Sequence, residues 1–480
     1  MGYVMIRRNF SAQRLRAGVL IGALLLAGCV TPPHAADLRS PASPDSLGAT
    51  RSFAAPVGEW PSDRWWEGLG DPQLSALIEE GLAGATDLRV AQARFDRADA
   101  IVQQARSRLL PTASLAAEGG VTKQSYNYLF PKEVAPQGWP DYGQASLGLN
   151  WELDFWGRNR AVLAAALSDA EATGAEAASA RLAVSAGIAS AYADMAGLEA
   201  ERDSAELAVT VRAKTLDLMT RRKAEGLENQ GAVSRAEANL AGAKGDLAAL
   251  DEALAITRNR IAALLGAGPD RGLAIGRTTS AAHADFALPD QLPAELIGRR
   301  PDIVAARLRA EASASRIKAA RAAFYPNVNL AGLIGFQALG IGDVFKSGSE
   351  FGTAGPAISL PIFDGGRLKG QYRAAEADYS AAVAQYDGAL VQALREVADA
   401  ATSQRALEER LRLAAQAEQA AEAAWTVANN RYRGGLATYL DVLAAEDALI
   451  AARRSVAVLQ TRAFALDIAL IRALGGGYRS

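Results

Sequence analysis

The sequence predicts an internally duplicated α+β membrane protein, with four amphipathic strands per chain and long coiled-coil helices. Three observations predict it. The chain repeats once at a fixed offset, it has two proline-free helical stretches of unusual length, and it has strand-like segments with one apolar and one polar face. Composition sets the bounds. At 480 residues the chain far exceeds one small domain, for which roughly 150 residues is usual. Charge is nearly balanced, with 51 Lys+Arg against 53 Asp+Glu and a net of −2, so no broad basic footprint for nucleic acid is expected. Half the residues are apolar but only 6% are aromatic, an excess of small aliphatic side chains that favours closely packed helices. One cysteine excludes an intramolecular disulfide framework and any multi-cysteine metal site. His34 and His283 are the only histidines. This composition argues against an enzyme.

The duplication is the strongest organisational signal. Gly226-Leu227 recurs as Gly435-Leu436, an offset of 209. The same offset carries Gly157-Arg158 to Gly366-Arg367, Arg222 to Arg431 and Leu265-Gly266 to Leu474-Gly475. Upstream, Leu110-Pro111 corresponds to Tyr325-Pro326 at 215, so the second strand loop is six residues shorter.

Each copy carries a heptad ladder. Val233, Ala236, Leu240, Ala243, Leu247, Leu250, Leu254, Thr257, Ile261 and Leu264 alternate spacings of three and four, and adding 209 lands on Val442 through Ala473, nearly all apolar again. That 3.5-residue period is the signature of supercoiling helices. Residues 159–224 and 367–433 lack proline, and at 1.5 Å per residue each would span roughly 100 Å.

The strand pairs are expected within 112–155 and 327–363. Gly143, Ala145, Leu147, Leu149, Trp151 and Leu153 face one way, against Gln144, Ser146, Gly148, Asn150, Glu152 and Asp154. In the second copy Val328, Leu330, Ile334 and Phe336 alternate with Asn327, Asn329 and less polar partners. Period two means one face of each kind. Taken alone, a sheet lying on a core explains it. Here the helices have a seam of their own, which leaves no segment to supply that core. Four strands cannot close a barrel, which takes about eight, but a trimer would supply 4 × 3 = 12. Pro111, Pro326 and Pro361 fall at the strand–helix junctions, where a fixed φ and a lost donor redirect the chain.

The N-terminus reads as a targeting segment. Arg7, Arg8, Arg14 and Arg16 precede the apolar run Ala17–Leu26, which is shorter than the roughly 20 residues a spanning helix needs. It ends in Leu26-Ala27-Gly28-Cys29, which resembles a bacterial lipobox, so residues 1–28 are expected to be removed and Cys29 lipidated with palmitate. Val30 resembles the residue that directs lipoproteins to the outer membrane. A lone cysteine is otherwise a small buried apolar residue, but its place directly after the apolar run favours lipidation. Residues 29–60, rich in Pro, Ser and Ala, form a tether.

Several motifs then carry a family resemblance. Trp65-Trp66 with Asp71-Pro72-Gln73-Leu74, Arg299-Arg300-Pro301-Asp302-Ile303, and Leu360-Pro361-Ile362-Phe363-Asp364-Gly365-Gly366-Arg367 occur in order along the duplicated chain. The chain resembles the TolC-like outer-membrane efflux proteins, in particular the lipoprotein branch (NodT/OprM-like) serving resistance-nodulation-division (RND) pumps, from about Trp60 to Gly475. The resemblance implies a homotrimer in which a 12-stranded β-barrel in the outer membrane continues into a long α-helical barrel in the periplasm. It implies an export duct passively conducting small molecules such as drugs from an inner-membrane RND pump, through a periplasmic membrane-fusion adaptor, to the outside of a Gram-negative cell. Residues 61–266 would be the first repeat, 267–300 an equatorial linker, 301–475 the second repeat and 476–480 a tail. No cofactor beyond the covalent lipid on Cys29, no metal and no catalytic residue is expected.

By repeat equivalence the hairpin ends lie near Glu225–Ala232 and Gly434–Asp441. The resemblance makes them the periplasmic mouth and the adaptor-contact tips, with Gly226, Leu227, Gly434, Gly435, Leu436, Arg222 and Arg431 as contact residues. Gly226, Gly231, Gly434 and Gly435 are equally explained as turn and cap residues, and the basic cluster as solvated helix C-termini. Asp441 aligns with a gate carboxylate of the family. Three copies would form a ring that concentrates cations at a narrow mouth, while a helix cap is the alternative role. Ala444 stands where some relatives carry a second carboxylate. Tyr432 matches a tyrosine that locks the mouth in some relatives. The positions of its acidic partner and of the basic partner of a second link are Ala232 and Ala437 here. Closure is therefore expected to rest on apolar packing around Leu440 and Val442. Two other functions compete: a lipid-anchored coiled-coil adaptor without a pore, which would not need matched strand pairs, and a lipid-anchored hydrolase, for which no nucleophile or metal-ligand motif is present.

Overall fold

The computed structural model describes residues 33, 37–48, 51–53, 56–128, 130–279, 287–289 and 292–479. Cys29 and the targeting segment lie outside the described residues. In chain order the main elements are helices α1 (Pro72–Gly84) and α2 (Thr86–Ser107), strands β1 (Thr112–Val121) and β2 (Asp141–Leu153), and helices α3 (Arg158–Ala224), α4 (Gln230–Leu264) and α5 (Leu292–Arg299). Then follow helix α6 (Pro301–Ala322), strands β3 (Asn327–Leu339) and β4 (Glu350–Ser359), and helices α7 (Arg367–Arg433) and α8 (Tyr439–Ala473). Between α4 and α5 lie a single helical turn, Asp270–Leu273, and the two-residue strand Leu288–Pro289, which pairs in parallel with Val57–Gly58. The class is α+β.

The duplication is exact for three helices of each copy. Shifting α3 and α4 by 209 gives the bounds of α7 and α8, and shifting α2 by 215 gives those of α6. The compact units nevertheless are not the two copies. One groups residues 96–172 with 307–385 and the other groups 41–95, 173–306 and 386–480, so each draws on both repeats.

The first unit holds a four-stranded antiparallel sheet in the order β1-β2-β3-β4. Register sets Leu147 opposite both Leu115 and Ile334, and Leu153 opposite Val328, itself opposite Ile358. On the other face Gln144 lies between Glu118 and Gln337, and Glu152 beside Asn329. Leu333 and Phe351 are apolar exceptions on that polar face. The alternation read from sequence is thus the two faces of this sheet, and its apolar face is covered only at one end, where Phe345 packs on Phe336 (5.6 Å) and Val344 lies over Gly143. Leu115 is 79% exposed and Ile334 64%. The outer edges of β1 and β4 carry no strand partner among the described residues. No described helix is long and apolar enough to cross a membrane.

The second unit is packed helix on helix. Trp65, Trp66, Leu74 and Ile78 bury against Ile188, Tyr192 and Met195 of α3 and Ile261 of α4. The second copy repeats this with Leu292, Leu296 and Ile303 against Tyr386, Leu390 and Val397 of α7. Motifs read from sequence explain themselves here. Buried Asp71 caps α1 by accepting from Leu74 N–H (3.0 Å), and its other oxygen accepts from the hydroxyls of Tyr192 and Thr279 (2.7 Å each). Buried Arg300 donates to Asp302 (2.6 Å), Glu396 (2.7 Å) and the Ala473 carbonyl (3.1 Å). Every ladder position on α4 and α8 is buried or half-buried.

Candidate functional site

The hairpin ends are built from the helix termini. α3 stops because Gly226 takes φ +73°, which lets Leu227 N–H reach back to the Arg222 carbonyl (2.8 Å) while Gly226 N–H bonds the Lys223 carbonyl (3.0 Å). This pair of bonds is a Schellman closure. α7 ends identically, with Gly435 at φ +73°, Leu436 N–H on the Arg431 carbonyl (2.8 Å) and Gly435 N–H on Tyr432 (3.0 Å). Gly434 N–H bonds the Asn430 carbonyl (3.0 Å). Leu227 and Leu436 are exposed at the two turns.

The returning helices are capped differently. Asn229 accepts from Ala232 N–H (3.0 Å) to start α4. Thr438 starts α8 in a full capping box: its hydroxyl accepts from Asp441 N–H (3.4 Å), and Asp441 Oδ2 accepts from both the backbone N–H and the hydroxyl of Thr438 (2.8 Å each). Those two donors, the hydroxyl first, hold the exposed Asp441 carboxyl below its usual range, with Arg431 adding a smaller Coulombic pull. The cap role of Asp441 is therefore met, with Thr438 as the N-cap residue and Asp441 as its N3 partner. Thr-x-x-Asp is a readable variant of the S/T-x-x-E signature.

Behind the turns, Met219 of α3, Val233 and Ala236 of α4, Tyr432 of α7, and Tyr439 and Val442 of α8 form one buried cluster. Val442 is 6% exposed inside it, so it packs within the subunit rather than lining a constriction as expected. Leu440, at 53%, is the exposed apolar residue there. Tyr432 also departs from expectation. Its missing partner at Ala232 is replaced by Glu228, in the first turn, whose Oε1 accepts from the tyrosine hydroxyl at 3.0 Å. The Arg222 guanidinium stands 4.7 Å from the Tyr432 ring centroid, within cation–π range. Burial, then the hydrogen bond to Glu228, pushes the phenol up to about 12. Arg431 stays exposed, with a 3.4 Å donor contact to the Leu436 carbonyl.

One further polar group was not legible. Glu446 of α8 is buried beside Arg212 of α3, 4.0 Å from its Nε, and accepts from Thr215 (3.4 Å). Arg212 also pairs with Asp447 (2.9 Å) and donates to the Asn239 carbonyl (3.0 Å). These bonds tie both hairpins together. The arrangement offers carboxylate acceptors and apolar turns.

A family model described as outer membrane efflux protein matches residues 77–267 and 292–476. The fusaric acid resistance protein FusA of Burkholderia cepacia is 36% identical over 377 residues, 76% of this chain and 69% of that one. The multidrug resistance outer membrane protein MdtP of Escherichia coli K12 is 29% identical over 99% of both chains. Among solved structures, the outer membrane protein VceC of Vibrio cholerae is 45% identical, with a TM-score of 0.83, covering 88% of this chain and all of that one. The chain belongs to the outer membrane efflux protein family.

Proposed function

We propose that this protein is the outer-membrane export duct of a tripartite RND-type efflux system. Three copies join around an axis, their sheets closing into a 12-stranded barrel and their long helices into a periplasmic tube. The single supporting observation is the sheet: an apolar face open to its surroundings, a polar face behind it, and two unpaired edge strands. In water that face would be an aggregation hazard. Facing lipid, with each β1 edge paired to a neighbouring β4 edge, it is satisfied, because a closed barrel is the only sheet that leaves no backbone group unbonded in a bilayer.

Cargo moves passively through this duct, delivered by an inner-membrane pump and a periplasmic adaptor that docks on the exposed turns around Gly226-Leu227 and Gly434-Gly435-Leu436, with Arg222 and Arg431 at their margins. Cys29 carries the lipid that anchors the mature N-terminus. At the mouth, three Asp441 carboxylates form a cation-selecting ring lined by Leu440. Capping and ring duties are compatible, because a carboxylate held by Thr438 stays charged at neutral pH.

Reconstitution in planar bilayers tests the duct. The purified lipoprotein should run as a trimer and give small channels, and Asp441→Ala should weaken cation selectivity and block by polyvalent cations. A monomer without conductance would overturn the duct. Channels whose selectivity survives Asp441→Ala would remove the gate role alone.

A further inference from the structure

Two clefts meet where strands give way to helices in the sheet-bearing unit. One is lined by Glu152, Asn327 and Ser359, all on the polar face, together with Arg158. The other, of about 700 Å³, contains none of these; it shares Phe155, Trp156 and Tyr325 with the first and adds Arg160, Lys318 and Arg321. Arg160 lies roughly 200° around α3 from Arg158, so the second cleft opens on the side of the apolar face. Phe155 lies in the turn just past β2, 65% exposed. The cleft sits beside β2 and β3, the central strands, away from the edges at which copies would join.

Its walls are fixed. Trp156 and Tyr325 stack at 4.8 Å and 18°, and the indole N–H donates to the Pro326 carbonyl at 2.8 Å. Arg160 is held by Asp154, through its side chain (3.2 Å) and the backbone carbonyl (3.0 Å). Lys318 and Arg321, both exposed on the last turns of α6, have no carboxylate partner among the described residues. Passing down this surface, the order is aliphatic band, aromatic ledge, unneutralised cations.

We infer that this cleft binds the phosphodiester headgroup of an anionic glycerophospholipid of the facing leaflet. The inference rests on the barrel reading above. Lys318 and Arg321 meet the phosphate, and the ledge of Phe155, Trp156 and Tyr325 supports the glycerol and upper acyl carbons, the level at which amphipathic rings settle. A free phosphate would use only the cations, whereas a lipid uses cations and ledge together.

The test is native mass spectrometry of the full-length protein released from nanodiscs of phosphatidylcholine and phosphatidylglycerol. The protein should retain phosphatidylglycerol over phosphatidylcholine by roughly thirtyfold per site, which is about 2 kcal/mol from the two cations together. Lys318→Gln with Arg321→Gln should erase that preference, and Trp156→Ala should weaken retention of both lipids. Added inorganic phosphate should displace neither. A wild-type protein without preference, a double variant that keeps it, or displacement by phosphate overturns the site. Conductance measured on the same preparations separates the two ideas. Channels without lipid preference sink only this inference, while absence of channels sinks the barrel on which it stands.

Discussion

Tyr432 and Glu228 come from different copies of the repeat, so their 3.0 Å hydrogen bond joins the two hairpin ends. Tyr432→Phe removes that bond and the 3.6 Å hydroxyl contact to Met219 Sδ, and leaves the ring in its apolar cluster and under Arg222. It should cost about 1 kcal/mol locally, read as several-fold faster amide exchange at both turns and a larger resting conductance. Unchanged exchange would mean that apolar packing alone holds the ends. Glu446 makes a different prediction because it is buried. Desolvation raises its carboxyl above the ordinary 4.5, and nearby Arg212 offsets this only in part. The folded tip therefore binds this proton more tightly than the unfolded chain does. The associated stability is fully present below about pH 4.5 and is lost as pH rises through the folded-state value. Corrected for the base-catalysed rise of intrinsic amide exchange, wild-type tips should be less protected near neutrality than near pH 4.5, and Glu446→Gln, neutral throughout, should flatten that difference. A variant with the wild-type pH profile would remove Glu446 as its source.

At the scale of elements the two halves act as near copies with local differences. A Cβ added at Gly226 or Gly435 meets no atom within 4 Å, and both residues sit at φ +73°. Alanine at either should therefore cost the same ~1 kcal/mol of left-handed strain, read as equal increases in exchange at the last turns of α3 and α7. Unequal costs would show that one turn is braced by contacts the other lacks. This symmetry was legible, because the 209 offset moves the bounds of α3 and α4 onto those of α7 and α8 and glycine is the residue such a stop demands. The heptad ladder was legible too, but it reports a single seam. Off that seam, Tyr439, Glu446 and Asp467 of α8 are also buried, and Asp467 accepts from Gln404 of α7 at 2.7 Å. A carboxylate in a helical sequence reads as solvated unless its partner is known, and these partners stand 63 and more than 200 residues away. Glu228 was missed for the same reason. A turn residue's partner is set by where the other hairpin ends, and no local pattern records that.

For the whole molecule the decisive question is what touches the apolar face of the sheet. Leu147 lies at mid-strand between Leu115 and Ile334, while Gln144, three residues earlier, lies on the opposite face between Glu118 and Gln337. In a barrel these neighbours in sequence meet hydrocarbon and water respectively. Lysine at 147 would then place a cation near the middle of the bilayer at a cost of about 2–4 kcal/mol. Lysine at 144 would sit in the lumen beside Glu118, nearly without penalty. Leu147→Lys should sharply lower the amount of heat-releasable trimer recovered from outer membranes, and Gln144→Lys should leave it close to wild type. If the sheet instead lay against a periplasmic partner protein, either face could be the covered one and neither variant would track membrane depth. Moving the lysine outward along the apolar face, from Leu147 to Leu153, separates the cases. Lipid predicts a penalty that fades toward the strand end, where the side chain can reach headgroups, whereas a protein interface predicts no such gradient.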